Sequence, residues 1–398
     1  ADTFTLTGLA ANSTINLSTG IVALNATIGT NTTADVLNLT VGSSTAGVTA
    51  SGLTTATSYE TVNVTSQGGS NTLTGLTASS GSVNILGAKS LTTGTITTKS
   101  SGTVNASAMS AGTLTATLTS ATTSFVGGAG VDALTLGAGT LAQGYSYDGG
   151  AGDNTIAVSA TNGQNAGILS LTNFKTVSVT LNNTANNAAV FDLRNVTNVS
   201  NFKVTSGVST GTLTLNHVKP GQVVTLDGTT AFAAVSLNAD SGTSQALAFN
   251  DSLTVTTLNA DAGATALTLS EITGKTATIT NPIVGGSLTS VTLTGAGSFA
   301  IGAQSSTVTT IDGSALSAGT LTSTLGTAGT LKGGAGGDAL TGSSGADTIN
   351  GGAGADTLTT GGGLDTLTGG DTTSADNFVI SGARAGTATS QITITDFA

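Results

Sequence analysis

Aspartate recurs every nine residues near the end of the chain, at Asp338, Asp347, Asp356 and Asp365, each behind a glycine-rich turn. The four nonapeptides are GGAGGDALT (333–341), GSSGADTIN (342–350), GGAGADTLT (351–359) and TGGGLDTLT (360–368). An aliphatic residue, Leu340, Ile349, Leu358 or Leu367, keeps the same period two positions later. A flexible glycine-rich tail would not hold carboxylate and aliphatic side chain in step. The pattern therefore predicts turns joined by short strands of a parallel β-roll.

Two nonapeptides make one coil of eighteen residues, which stacks Asp338 on Asp356 along one side and Asp347 on Asp365 along the other. Parallel strands lie about 4.8 Å apart. Two unit charges at 5 Å repel by roughly 0.8 kcal/mol in bulk water, and several times more at an effective dielectric of about 20. A hard cation with about six to eight oxygen ligands removes that penalty, which points to calcium. Gly334, Gly336, Gly352 and Gly354 permit positive φ and leave backbone carbonyls free to turn toward the ion. After a two-residue insertion, GGDTTSADNFV (369–379) supplies Asp376 as a fifth member, and Asn350 adds an amide oxygen.

These turns resemble the RTX repeats of calcium-dependent bacterial proteins exported by type I secretion. The pattern G-G-x-G-x-D-x-(aliphatic)-x is met in full by 333–341 and 351–359. In 342–350, Ser343 and Ser344 replace the second and third residues, and 360–368 begins with Thr360. An earlier pair, GGAGVDALT (127–135) and GGAGDNTIA (149–157), is spaced by 22 residues instead of 18. A four-residue bulge around Leu141–Gly144 accounts for the difference. Asp132 and Asp153 are then expected to share an ion, with Asn154 in the usual aspartate position and Asp148 nearby.

Composition bounds the rest. The 398 residues are 38% hydrophobic, 7% charged and 3% aromatic, with 57 Gly, 2 Pro and no Cys or Trp. Abundant β-branched residues and few Glu, Lys and Arg predict strands almost throughout and essentially no helix. The net charge of −11 comes mostly from aspartates, many in or beside the glycine turns. With arginine only at Arg194 and Arg384, no basic stripe exists to neutralise phosphates, which argues against nucleic-acid binding. Without disulfides, bound metal is the natural source of added stability in an exported chain. No signal peptide or membrane-length apolar run occurs, and insertion into a membrane is not expected.

Outside the nonapeptides, short alternating runs such as Val177–Leu181, Val223–Leu226 and Val291–Leu293 are separated by Gly, Asn, Asp and Ser turns. A sandwich would alternate similarly. Short strands, small inward residues and flanking roll segments favour a solenoid. The expected fold is all-β: a right-handed parallel β-solenoid or β-roll with calcium-binding turns, or several stacked β-domains. An internal duplication is visible, since 107–118 corresponds to 314–325 at an offset of about 207, and 127–134 to 333–340. A second echo pairs Tyr59–Thr65 with Phe174–Thr180. The organisation read from these landmarks is a solenoid-like segment 1–126, an internal RTX segment 127–157, a second solenoid-like segment 158–332, a C-terminal β-roll 333–381 and a terminal strand 382–398. Both ends read as parts of a longer protein.

Catalysis finds little support. His217 is the only histidine and sits in a strand running into a turn. The H-E-x-x-H motif is absent, so no zinc protease is expected, and although the G-x-S-x-G spacing occurs at 207–211, one histidine in a Thr- and Ser-rich chain gives no expectation of an esterase site. Sugar sites usually present aromatic platforms, which Tyr59, Tyr145, Tyr147 and ten Phe supply thinly.

The threonine-rich β-pattern, the duplicated RTX segments and the strand Glu60-Thr-Val-Asn-Val-Thr65 together resemble the lattice-forming part of RTX-type bacterial S-layer proteins. That resemblance implies a Gram-negative cell-surface array, self-association into a calcium-dependent two-dimensional lattice, and anchoring to lipopolysaccharide through a region outside this chain. The alternative is part of a secreted RTX adhesin that binds a cell-surface or glycan ligand.

Overall fold

Strands of two to nine residues follow one another along the chain, and no helix occurs among the described residues. The computed structural model describes residues 3–20, 23–78, 81–137, 144–161, 170–182, 188–206, 211–228, 231–240, 242–381 and 391–396. Most of the bulge expected at Leu141–Gly144 and of the terminal strand 382–398, together with both chain ends, lies outside the described residues.

The chain divides into two compact units, one of Ala1–Thr180 with Asp192–Phe202 and one of Leu181–Phe191 with Lys203–Ala398. In the first unit, each described strand pairs with the next but one, except that Ser170–Thr172 pairs with Val196–Thr197, three strands on. Thr3–Leu9, Ala23–Ile28 and Thr49–Thr57 begin one ladder, which reaches Thr155–Thr161. Ser13–Leu17, Val36–Val41 and Thr61–Ser66 begin the other, which reaches Val196–Thr197. The chain alternates between the two, so each coil is two strands and two turns. The second unit repeats the scheme from Thr212–Val218 to Asn377–Val379 and from Val223–Asp227 to Thr393–Ile394. All described pairings are parallel. The protein is a parallel β-solenoid, not a sandwich.

The strand period of two sends aliphatic residues inward and Thr, Asn or Ser outward. In the first unit Leu37, Val62 and Val83 stack in register, as do Leu39, Val64 and Ile85, and all six are buried. Outside them, Asn63 and Asn84 each donate a side-chain amide to the asparagine one coil earlier, at 2.8 Å. In the second unit Leu267, Val291, Ile311, Leu331, Ile349 and Leu367 form one buried column. Each such side chain contributes about 1.5–3 kcal/mol on burial. A narrow interior of this kind needs few aromatics, in keeping with the composition.

Candidate metal centre

The glycine turns lie where one ladder hands over to the other, and each aspartate is the last residue before a strand. Thr330–Lys332, Thr348–Gly352 and Thr366–Gly370 stack in register, as do Ala339–Thr341, Thr357–Thr359 and Asn377–Val379. Asp338, Asp356 and Asp376 therefore line one side of the roll, and Asp347 and Asp365 the other. Asp338, Asp347, Asp356 and Asp365 are buried, none more than 3% exposed, whereas Asp376 at the last turn is half-buried. Leu340, Ile349, Leu358 and Leu367, expected to face inward, are all buried.

A backbone bond joins each turn to the next along its side. The Asp338 N–H donates to Asp356 Oδ1 at 2.7 Å, and the Asp356 N–H to Asp376 Oδ1 at 3.0 Å. On the other side the Asp347 N–H donates to Asp365 Oδ1 at 2.9 Å. Within the nonapeptides, Asp338 and Asp347 have donors on both oxygens. Asp338 accepts from the N–H of Leu321 (2.6 Å) and Gly334 (2.7 Å), and Asp347 from those of Gly329 (2.8 Å) and Ser343 (2.6 Å). The Ser343 hydroxyl also donates to Asp347, at 3.0 and 3.2 Å, so this departure from the glycine pattern adds a donor. Thr360, the other departure, is buried and exchanges hydrogen bonds with Ser381.

Asp356 is different. Its Oδ2 is buried and has no hydrogen-bond partner. Burial foremost, then the neighbouring charges of Asp338, Asp376 and Asp371, push its pKa up to about 7. Burial also raises Asp338, to about 6. The ion pairs formed among the described residues do not reach Asp338, Asp347 or Asp356. Buried negative charge with no cationic side chain nearby calls for a counter-ion.

The donors present are carboxylate and carbonyl oxygens. No group of three His, Cys, Asp or Glu side chains converges among the described residues, so each turn offers one carboxylate with its own backbone oxygens. This is an oxygen-only set, suited to a hard cation such as calcium. Gly352 and Gly354 take φ of 105° and 104°, open to glycine, and a Cβ on Gly352 would lie 2.3 Å from the Gly334 carbonyl oxygen. Gly334 and Gly336 are held by closeness instead, since a Cβ on either would meet the preceding coil at 2.6 Å. Asn350 lies elsewhere. It sits mid-strand opposite Lys332 and Thr368 on the outward side, and its carbonyl accepts the Gly333 N–H.

The internal segment repeats half of this. Asp132 is buried and accepts the N–H groups of Leu114 (2.8 Å) and Gly128 (3.0 Å). Asn154 is buried too, and its Oδ1 accepts the Asp132 N–H at 2.7 Å. The Asn154 Nδ2 donates to the carbonyls of Ala151 (2.9 Å), Asn173 (3.2 Å) and Gly150 (3.4 Å). Asp153 does not join Asp132. It is exposed and pairs with Lys175 at 2.5 Å, because the residue before the strand, not the one before that, points into the turn. Asp148 accepts from the Gly150 N–H (2.9 Å) and the Asn173 amide (2.7 Å), a support for the turn.

Two carboxylates escaped the sequence reading. Asp371 Oδ2 accepts the Gly354 N–H at 3.0 Å, and its Oδ1 accepts from Thr373 and Ser374. Those bonds hold its pKa down at about 2. Asp396 receives the N–H groups of Gly369 (2.6 Å) and Gly370 (2.9 Å). The signal for Asp371 was its place inside the two-residue insertion after a Gly-Gly pair. His217 occupies a bulge in Thr212–Val218 with φ of 62°, its Nε2 3.5 Å from Asp240.

Residues 330–371 match the family of the RTX calcium-binding nonapeptide repeat, in four copies. No curated protein matches the chain. The C-terminal turns are thus calcium-binding repeats on a parallel β-solenoid.

Proposed function

We propose that the protein is a structural subunit of a bacterial surface layer, exported through type I secretion, whose C-terminal coils fold on calcium and whose sheets then pack copy against copy. RTX repeats are typical of secreted proteins, and no helix among the described residues is long and apolar enough to cross a membrane. In this reading Asp338, Asp347, Asp356, Asp365 and Asp376 hold calcium, with backbone oxygens of Gly334, Gly336, Gly352 and Gly354 beside them. The carrying observation is the outward surface. Strand after strand turns Thr, Ser and Asn outward over an aliphatic interior, as in Val36–Val41, Thr61–Ser66 and Ser290–Gly295. Short side chains lose little rotamer entropy on contact, and sparse charge sets up little repulsion between like copies. The role requires no catalytic group.

Electron microscopy with and without calcium tests the reading. Ordered sheets that form with calcium and dissolve on chelation are expected. Calcium-loaded protein that stays monomeric and binds cells or glycans would instead establish the adhesin.

A further inference from the structure

Two glycine turns in the first unit end in a buried amide where the C-terminal turns end in a buried carboxylate. Asn154 is 0% exposed and Asn71 is 1% exposed. Each does on one side what the aspartates do, since Asn154 Oδ1 accepts the Asp132 N–H and Asn71 Oδ1 accepts the Val48 N–H, both at 2.7 Å. Their other side has no counterpart among the aspartates. The Asn71 Nδ2 donates to the Ser66 hydroxyl (2.8 Å) and to the carbonyls of Gln67 and Gly69 (both 3.0 Å). The Asn154 Nδ2 donates to Gly150, Ala151 and Asn173 carbonyls.

A primary amide carries two donors as well as an acceptor, whereas an ionised carboxylate only accepts. In an Asn turn, the NH2 group itself draws the turn's carbonyl oxygens together. An Asp in the same place offers those carbonyls no hydrogen and adds a negative charge. The carbonyls are then left without that donor, and Asp356 Oδ2, where Asp338 and Asp347 take an N–H of their own turns, is a buried acceptor without a partner.

We propose that the residue closing each glycine turn decides its cation dependence: Asn71 and Asn154 close their turns without metal, the carboxamide NH2 drawing the turn's carbonyls together as calcium would in the turns closed by Asp356 and its neighbours. This rests on the calcium reading of the C-terminal turns and goes beyond it. It removes Asn154 from the ligands expected from the sequence. It also makes two coils of the first unit self-sufficient and leaves calcium dependence to turns that end in aspartate.

The test uses the whole chain. Bound calcium is counted by equilibrium dialysis, and amide exchange is followed by segment in calcium and in chelator. Wild-type protein should keep the Val48 and Asp132 amides protected in both conditions. The Asp338 and Asp347 amides should exchange about 100-fold more slowly with calcium at 100 times its Kd than without it. Asn154→Asp should bind one more ion and make Asp132 protection calcium-dependent. Asp356→Asn should bind one fewer and keep Asp338 protected in chelator. An unchanged ion count in folded Asn154→Asp, or loss of Val48 and Asp132 protection in chelator alongside Asp338, overturns the inference. A wild-type chain that binds no calcium and protects every turn alike overturns the calcium reading itself, a result distinct from the other two.

Discussion

The internal turns at 127–132 and 149–154 and the C-terminal turns at 333–338 and 351–356 share their plan down to single hydrogen bonds. Leu114 N–H to Asp132 corresponds to Leu321 N–H to Asp338, and Gly128 N–H to Gly334 N–H. Ala129 N–H reaches the Met109 carbonyl as Ala335 N–H reaches that of Leu316. The copies part at the next coil, where one has Asn154 and the other Asp356. Burial alone raises the Asp132 pKa against its backbone bonds, while Asp356 also feels the charges of Asp338, Asp376 and Asp371. One atom type, nitrogen for oxygen, therefore separates a turn that is electrically complete from one that is not. A motif match at one repeat does not define a site. The residue that closes each turn does.

Chelation gives the largest separation of the two regions. Calcium at 100 times its Kd contributes about 2.7 kcal/mol for each independent site, and several sites amount to much of a domain's usual 5–15 kcal/mol. Limited proteolysis in chelator should cut first within 333–376 and leave the turn at 149–154, closed by Asn154, intact. Simultaneous cleavage of both regions would erase the contrast.

Titration without calcium gives the next effect. Asp338 and Asp356 have folded pKa values of about 6 and about 7, above the ordinary carboxylate value near 4. Their contribution is full below that ordinary value and is lost as pH rises through 6 to 7. Chelated protein should melt at a higher temperature at pH 5 than at pH 8, with the change concentrated in the C-terminal coils. Calcium-loaded protein should show the opposite order, because protons displace the cation. Equal melting at both pH values in chelator would break the electrostatic account.

The smallest effect concerns Ser343, which has glycine counterparts at Gly128 and Gly334. Ser343→Ala removes the hydroxyl bonds to Asp347 and keeps the 2.6 Å backbone bond. Denaturant unfolding should show a loss of about 0.5–1.5 kcal/mol. No loss would mean that the two backbone donors, the Gly329 and Ser343 N–H groups, satisfy the carboxylate by themselves.

The period of nine was enough to foresee the parallel roll, the two rows of aspartates and the inward column at Leu340, Ile349, Leu358 and Leu367, because a repeat states its own register. The same logic extended to the threonine-rich strands, where period two alone left a sandwich open. What stayed hidden depended on partners a coil away. Asp153 and Asn154 are adjacent letters, yet one faces Lys175 in solvent and the other closes a buried turn. Asn350 fell on the outward side because strand alternation, not proximity to Gly-Gly, sets its direction. Asp371 and Asp396 lack the nonapeptide context, and only the folded coils bring them to Gly354, Gly369 and Gly370.

The backbone bonds that tie each turn to the side chain closing the next one run one way. The side-chain oxygen that closes a turn takes a backbone N–H from the coil before it, from Val48 to Asn71 and from Asp132 to Asn154, and again through Asp338 and Asp356 to Asp376. Trimming the chain from its far end thus strips acceptors from every coil it exposes, whereas trimming from the near end only orphans carboxylates that water can reach. Damage should travel backward along the stack, and a break behind Asp376 matters more to Asp356 than one ahead of Asp338.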